Sequence, residues 1–243
     1  YYYGFGVDEN ETEAIKWYQK SAEGGNADAQ NQLGCCYARG EGVEEDLAKA
    51  AEWYRKAAEQ GHNVAQYNLG CCYDNGRGVT KDYVKAAEWY RKAAEQGYAG
   101  AQFNLAILYD NGYGVAQNKE EAVKWYRKAA EQGDADAQCN LGYCYKTGNG
   151  IERDDEKAVE WYRKSAERGR AVAQYNLGLC YENGQGVTQD KEQAMQWYKK
   201  AAEQGNESAK NAIDRMQGGG LGTAVAAGAA LGGAALLWKI LRG

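Results

Sequence analysis

A Trp-Tyr pair recurs six times along the chain, opening at Trp17, Trp53, Trp89, Trp125, Trp161 and Trp197, always 36 residues apart. A fixed period of this length marks stacked supersecondary units. Each unit is too small to bury its own apolar face and covers that of its neighbour. The repeat constrains function as well as fold. Stacked units offer long ridged surfaces rather than enclosed clefts, which suits a binding scaffold better than a catalyst.

Residues 63–98 serve as the type unit. A first helix is expected from about Val64 to Asp74, because Ala65, Leu69, Cys72 and Tyr73 recur at the spacing of a buried helical stripe. Gly70 lies inside it, matched by Gly34, Gly142, Gly178 and Ala106, and a small residue there lets a neighbouring helix come close. Glycine in that place costs about 1 kcal/mol relative to alanine, so packing has to repay it. Gly76 and Gly78 are expected to make the turn at positive φ. The second helix begins at Asp82, whose counterparts are Asn10, Asp46, Asn118, Asp154 and Asp190. All are good N-cap residues, able to accept from the orphan amides of a first turn. Ala86, Tyr90 and Ala94 share a face with Trp89 at its flank, and Gly97 closes the helix. The tryptophan column reads as a wedge between repeats rather than a ligand site.

This grammar gives a partial repeat over 1–26, five helix-pair repeats over 27–206, a capping helix over 207–217 and a Gly/Ala-rich tail over 218–243. Tyr3-Gly4-x-Gly6-Val7 aligns with the unit only from its turn onward. The first helix of that repeat, and any targeting segment, is therefore expected upstream of Tyr1. With no proline, 32 glycines and regular apolar periodicity, the chain reads as helices separated by glycine turns. A net charge of −5 argues against nucleic acid, which needs a basic footprint.

The seven cysteines (35, 36, 71, 72, 139, 144 and 180) all fall in first helices. Cys36, Cys72, Cys144 and Cys180 occupy one position, where the third repeat has Leu108, so the column reads as a small core hydrophobe. A reducing compartment is expected. His62 is the sole histidine and sits in a turn between repeats. No triad assembles around it, no His/Cys spacing matches a zinc site, and the Gly-x-Gly turns follow no strand. The expectation is a non-enzymatic chain with neither cofactor nor metal.

The residues Ala65-Gln66-Tyr67-Asn68-Leu69-Gly70, Gly76-x-Gly78-Val79 and Ala86-x-x-Trp89-Tyr90-x-Lys92-Ala93-Ala94 together resemble the Sel-one-like repeat, a relative of the tetratricopeptide repeat. The likeness covers roughly residues 1–217. It implies an all-α fold, a right-handed α-solenoid of antiparallel helix pairs with a 36-residue repeat, and a role as an adaptor that binds proteins or peptides. A secreted, cysteine-rich branch of that family joins the two helices of each repeat by a disulfide and is associated with β-lactam binding. It supplies the alternative reading, a secreted protein with hydrolase-like or β-lactam-binding activity. This chain departs from it, since no second helix carries a cysteine.

On the first helix, Leu69 marks the core, and Tyr67, Cys71 and Asp74 are expected on the opposite side. By resemblance that side lines the concave surface. Its columns are unusually apolar: Tyr67, Phe103 and Tyr175 in one, Ile107, Tyr143 and Leu179 in the next. Exposed aromatic patches mark interaction sites, so these residues are expected to bind a peptide or protein. Asn68, Asn104, Asn140 and Asn176 form an amide column beside them, suited either to an extended peptide backbone or to a neighbouring loop.

Residues 218–238 carry no charge, and Lys239 and Arg242 follow. The length suits a membrane span with small-residue contacts, Gly218-x-x-x-Gly222 and Gly228-x-x-x-Gly232, for self-association. Three readings stay open: a membrane helix, a linker before a short amphipathic stretch, or a segment docking on the repeats. Leu221, Val225, Leu231, Leu236, Leu237 and Trp238 are the residues that would insert or dock.

Overall fold

The computed structural model describes residues 11–218, and within them every regular element is an α-helix. They fall into two compact units that divide between Gln117 and Asn118. The first holds α1 (Glu11–Glu23), α2 (Ala27–Arg39), α3 (Leu47–Glu59), α4 (Asn63–Asn75), α5 (Tyr83–Glu95) and α6 (Ala99–Asn111). The second holds α7 (Lys119–Glu131), α8 (Ala135–Thr147), α9 (Asp155–Glu167), α10 (Ala171–Asn183), α11 (Lys191–Glu203) and α12 (Glu207–Met216). Within each unit every helix packs on the next in sequence, which is an all-α repeat fold.

Local chemistry sets the helix ends. Asp46, Asp82, Asn118, Asp154 and Asp190 hold extended backbone and accept from amides two or three residues on, as Asp82 does from Val84 and Lys85. Asn10 lies outside the described residues. The first helix of each repeat ends on a left-handed glycine: Gly76, at φ 73°, donates to the Cys72 carbonyl. His62 is itself a cap. Its Nδ1 accepts from Ala65 N at 3.0 Å, which leaves the proton on Nε2, 3.0 Å from Asp28 Oδ1. Arg170 meets Asp136 in the equivalent place.

The glycines expected to allow close approach do so against identifiable groups. A Cβ on Gly70 would lie 2.6 Å from the Tyr90 ring, and the same lock joins Gly34 to Tyr54, Gly142 to Tyr162 and Gly178 to Tyr198. The ring fills the space that a side chain on the first helix would take. Gly78, at φ 71°, presses on the start of the preceding repeat's second helix, where a Cβ would stand 1.9 Å from the Leu47 carbonyl oxygen. Gly150 meets Lys119 and Gly186 meets Asp155 in the same way.

In each Trp-Tyr pair the tyrosine goes deepest: Tyr90 and Tyr198 are fully enclosed, whereas Trp17 is 52% exposed. Trp53 does pack between repeats, against Ile15, Ala22, Ala29, Leu33 and Cys36. Outward faces of the tryptophans carry a lysine three residues on, such as Lys92 Nζ 4.0 Å from the Trp89 ring. Two further columns tie repeats together. Arg55, Arg127 and Arg163 donate to Tyr73, Tyr145 and Tyr181 hydroxyls at 3.1, 3.0 and 2.9 Å. Buried Gln30, Gln66 and Gln174 each donate to a carbonyl eight residues back (Ala22, Ala58 and Ala166) and accept from a glutamine thirty residues on (Gln60, Gln96 and Gln204).

Candidate peptide-binding face

The face of the first helices is less open than its sequence suggests. Phe103 and Ile107, in α6, are only 7% and 5% exposed, and Asn140 in α8 is buried too. The apolar character of Phe103 and Ile107 there serves packing, because a helix side flanked by neighbouring helices has little free surface. Asp74, expected on the side opposite the core, turns inward, and so do the residues at the equivalent position, Glu182 and Lys146. Asp74 is buried and accepts from the Tyr90 hydroxyl at 3.3 Å. Glu182 accepts from Tyr198 at 2.6 Å and from Arg215 at 2.8 and 2.9 Å. Lys146 donates to Gln185 at 2.7 Å and to Asp155 at 3.3 Å.

What stays partly open is a smaller set. In the first unit, Tyr67 is half-buried between Tyr98 and Tyr90, with ring centroids 4.9 and 5.9 Å away. Gly100 gives those rings room. Burial, with Cys71 beside it, pushes the Tyr67 phenol up, so it stays a neutral hydrogen-bonding group, with Asn104 beside it. Asn68 donates to Asn31 Oδ1 at 3.1 Å, so part of its amide joins two repeats. In the second unit Tyr143, Tyr175, Asn176 and Leu179 are each half-buried. Tyr175 leans on Tyr198 at 5.7 Å, and burial raises its phenol against the pull of Arg215. The structure thus brings Tyr143, Tyr175, Asn176 and Leu179 onto two adjacent first helices, α8 and α10, and leaves Phe103, Ile107 and Asn140 inside.

The cysteines line the same helices, and all seven are thiols. Burial pushes Cys72 and Cys139 up to about 12 and Cys180 to about 11, so they lack the thiolate that nucleophilic or metal chemistry needs. The Tyr54 and Tyr90 hydroxyls reach Cys35 and Cys71 sulfurs at 3.5 and 3.4 Å. Among the described residues no group of three or more His, Cys, Asp or Glu could hold a metal ion, and no helix is long and apolar enough to cross a membrane. Leu221, Val225, Leu231, Leu236, Leu237 and Trp238 lie outside the described residues.

Reading single columns missed two features. The first is the tyrosine hydroxyl of the Trp-Tyr pair, which in Tyr90 and Tyr198 takes up the acidic residue on the first helix, Asp74 and Glu182. The second is the glutamine bridge, whose one visible break, Arg168 in a column of Gln60, Gln96, Gln132 and Gln204, was legible in the aligned repeats.

Comparison with known proteins places these units. A family model described as Sel1 repeat matches residues 1–26, 27–62, 63–98, 99–134, 135–169 and 171–206. The crystal structure of c5321, a protective antigen present in uropathogenic Escherichia coli strains and displaying an SLR fold, is 39% identical with a TM-score of 0.86 over 90% of this chain. The chain spans about half of that protein, 47% of its length. A Sel1 repeat protein from Oxalobacter formigenes is 42% identical with a TM-score of 0.74, covering 81% of this chain and 80% of that one. A sel1 repeat protein from Klebsiella pneumoniae is 28% identical with a TM-score of 0.51, covering 84% and 99%. No curated protein matches the chain.

Proposed function

The chain belongs to the Sel1 repeat family, whose members generally act as protein-interaction scaffolds, and we propose that it captures a peptide or protein segment on its first-helix face. The observation that carries this reading is the pair of half-buried columns on α8 and α10: Tyr143 and Leu179, with Tyr175 and Asn176 beside them. Rigid aromatic rings supported from behind lose little conformational freedom on binding, which is why such residues dominate interfaces. The Asn176 amide offers a donor and an acceptor to a passing backbone. In the first unit Tyr67, Asn68 and Asn104 form the corresponding platform.

The test is substitution of the open residues, not the buried ones. Tyr143→Glu and Tyr175→Glu should each weaken capture of a bound peptide by roughly ten- to a hundredfold, with helix content unchanged. Unchanged affinity in both variants would sink the reading. Phe103→Glu is no test, because a charge at a buried position unfolds the helix it sits on.

The tail gives a second, separate proposal. The uncharged run 218–238 followed by Lys239 and Arg242 would tether the scaffold to a membrane and let copies associate through Gly218-x-x-x-Gly222 and Gly228-x-x-x-Gly232. Liposome flotation of the intact chain beside a version ending at Gln217 decides it: only the intact chain should float. If neither floats, tethering fails and the scaffold role stands.

A further inference from the structure

The glutamine bridge that joins repeats is broken once within the second unit, and a cavity lies at the break. Gln138 is 4% exposed, and its Nε2 donates to the Ala130 carbonyl at 3.0 Å, as its counterparts do to theirs. Its Oε1 meets no donor. The residue thirty positions on, which elsewhere supplies that donor, is Arg168. Instead of reaching Gln138, the Arg168 guanidinium lies over Gly133, where a Cβ would stand 2.8 Å from Nη2. Around this break is a cavity of about 340 Å³ lined by Gly133, Gln138, Trp161, Lys164 and Arg168, with Glu131 among the rest. Lys164 Nζ sits 4.1 Å from the Trp161 ring.

A buried acceptor without a donor costs more than the bridge it replaces, so a fold that keeps one either wastes stability or uses the group. Here the orphaned oxygen stands among two cations, one carboxylate and an aromatic face. It asks for a ligand that carries an N–H for Gln138 Oε1 and a negative charge for Arg168 and Lys164. We propose that this cavity binds the carboxy terminus of a peptide, with the last amide N–H donating to Gln138 and the terminal carboxylate taken by Arg168 and Lys164. Planar guanidinium matches a carboxylate in bidentate fashion. Lys164 and Arg168 are both exposed side chains, free to swing and admit the amide to the buried oxygen. The site lies at the C-terminal ends of α7 and α9 and on α8, and shares no residue with the tyrosine platform.

The full chain is titrated with N-acetylglycine, acetate, N-acetylglycinamide and a Gly/Ser hexapeptide with free or amidated carboxy terminus. The readout is NMR shifts of the Gly133 amide and the Trp161 indole. N-acetylglycine should bind at least about tenfold more tightly than acetate or N-acetylglycinamide, since each of those lacks one of the two paired contacts. The free hexapeptide should match it, and the amidated one should not bind. Arg168→Gln supplies the residue found at the four equivalent positions, so it should fold, close the bridge to Gln138 and abolish binding. Arg168→Ala, which leaves the oxygen orphaned, should weaken binding and keep the preference for an N–H. Equal response to acetate and N-acetylglycine, or full binding by Arg168→Gln, overturns the site. Binding of N-acetylglycine without the free hexapeptide overturns the peptide assignment.

Discussion

Three glycines of one repeat, each changed to alanine, separate backbone conformation from contact between repeats. Gly76, Gly78 and Gly97 have φ of 73°, 71° and 88°, so alanine at any of them adopts a left-handed conformation that costs about 1–2 kcal/mol. Their surroundings differ. Nothing lies within 4 Å of a Cβ on Gly97, and a Cβ on Gly76 would come 3.2 Å from the Lys81 Cβ, a contact that a shift of a few tenths of an ångström relieves. On Gly78 it would stand 1.9 Å from the Leu47 carbonyl oxygen, 2.3 Å from its carbon and 2.8 Å from Ala48 N. Those are backbone atoms of the preceding repeat's second helix, with no rotamer to yield. Ordinary contact is about 3.4 Å, so the turn and that helix must part by roughly 1.5 Å, at a packing cost of about 1–3 kcal/mol beyond the conformational one. Gly97→Ala should therefore cost about 1–2 kcal/mol and Gly78→Ala about 2–5 kcal/mol, with Gly76→Ala near the lower figure. Urea titration followed by circular dichroism gives the order of midpoints, which survives even where a repeat array departs from two-state behaviour. Hydrogen exchange at Ala50 and Ala51 should quicken in Gly78→Ala alone. Equal midpoints for Gly78→Ala and Gly97→Ala would refute the claim that the second turn glycine is a contact between repeats.

Other expectations follow from single contacts. Asp82→Ala removes the acceptor of two first-turn amides and should lower stability by about 1 kcal/mol in urea, whereas Asp82→Asn should stay within about half of that. Arg168→Gln should raise the urea midpoint by giving Gln138 its missing donor, worth about 1 kcal/mol. Cys72 and Cys139 hold their protons up to about 12 in the folded chain, against a starting value of 9.0 for a free thiol. An acid whose folded value is raised binds its proton more tightly when folded, so its stability is intact below about 9 and is lost as pH climbs toward about 12. A stability profile in urea should accordingly fall across that window, and a flat profile there would contradict the burial of these thiols. At pH 8 a disulfide reagent should modify half-buried Cys35 and Cys71 well before Cys72 and Cys139, since attack needs both access and thiolate.

Much of this fold was legible because repetition turns each position into a column read five times over. The Asp/Asn column at helix starts, the positive-φ glycines and the constant leucine (Leu33, Leu69, Leu105, Leu141, Leu177) each follow from local chemistry that a sequence displays. The face for partners was less legible. Helical phase tells which way Phe103 and Ile107 point relative to Leu105, but not how closely neighbouring helices stand, and close spacing buries them. Asp74 misled for a related reason. A charged side chain reads as solvent-facing until the tyrosine hydroxyl that bonds it, sixteen residues away on the next helix, is placed beside it. The break at Arg168 was visible as a letter, yet its meaning needed the knowledge that this column donates to a buried glutamine.

The scaffold account is tested most directly by selecting peptides from a random library on the full chain and measuring each binder against Tyr143→Glu, Tyr175→Glu and a control, Glu88→Ala, on the exposed side of α5. The account predicts that the selected peptides lose roughly ten- to a hundredfold in affinity for the two tyrosine variants and none for the control. Binders that treat all three variants as they treat the unchanged chain would contradict it.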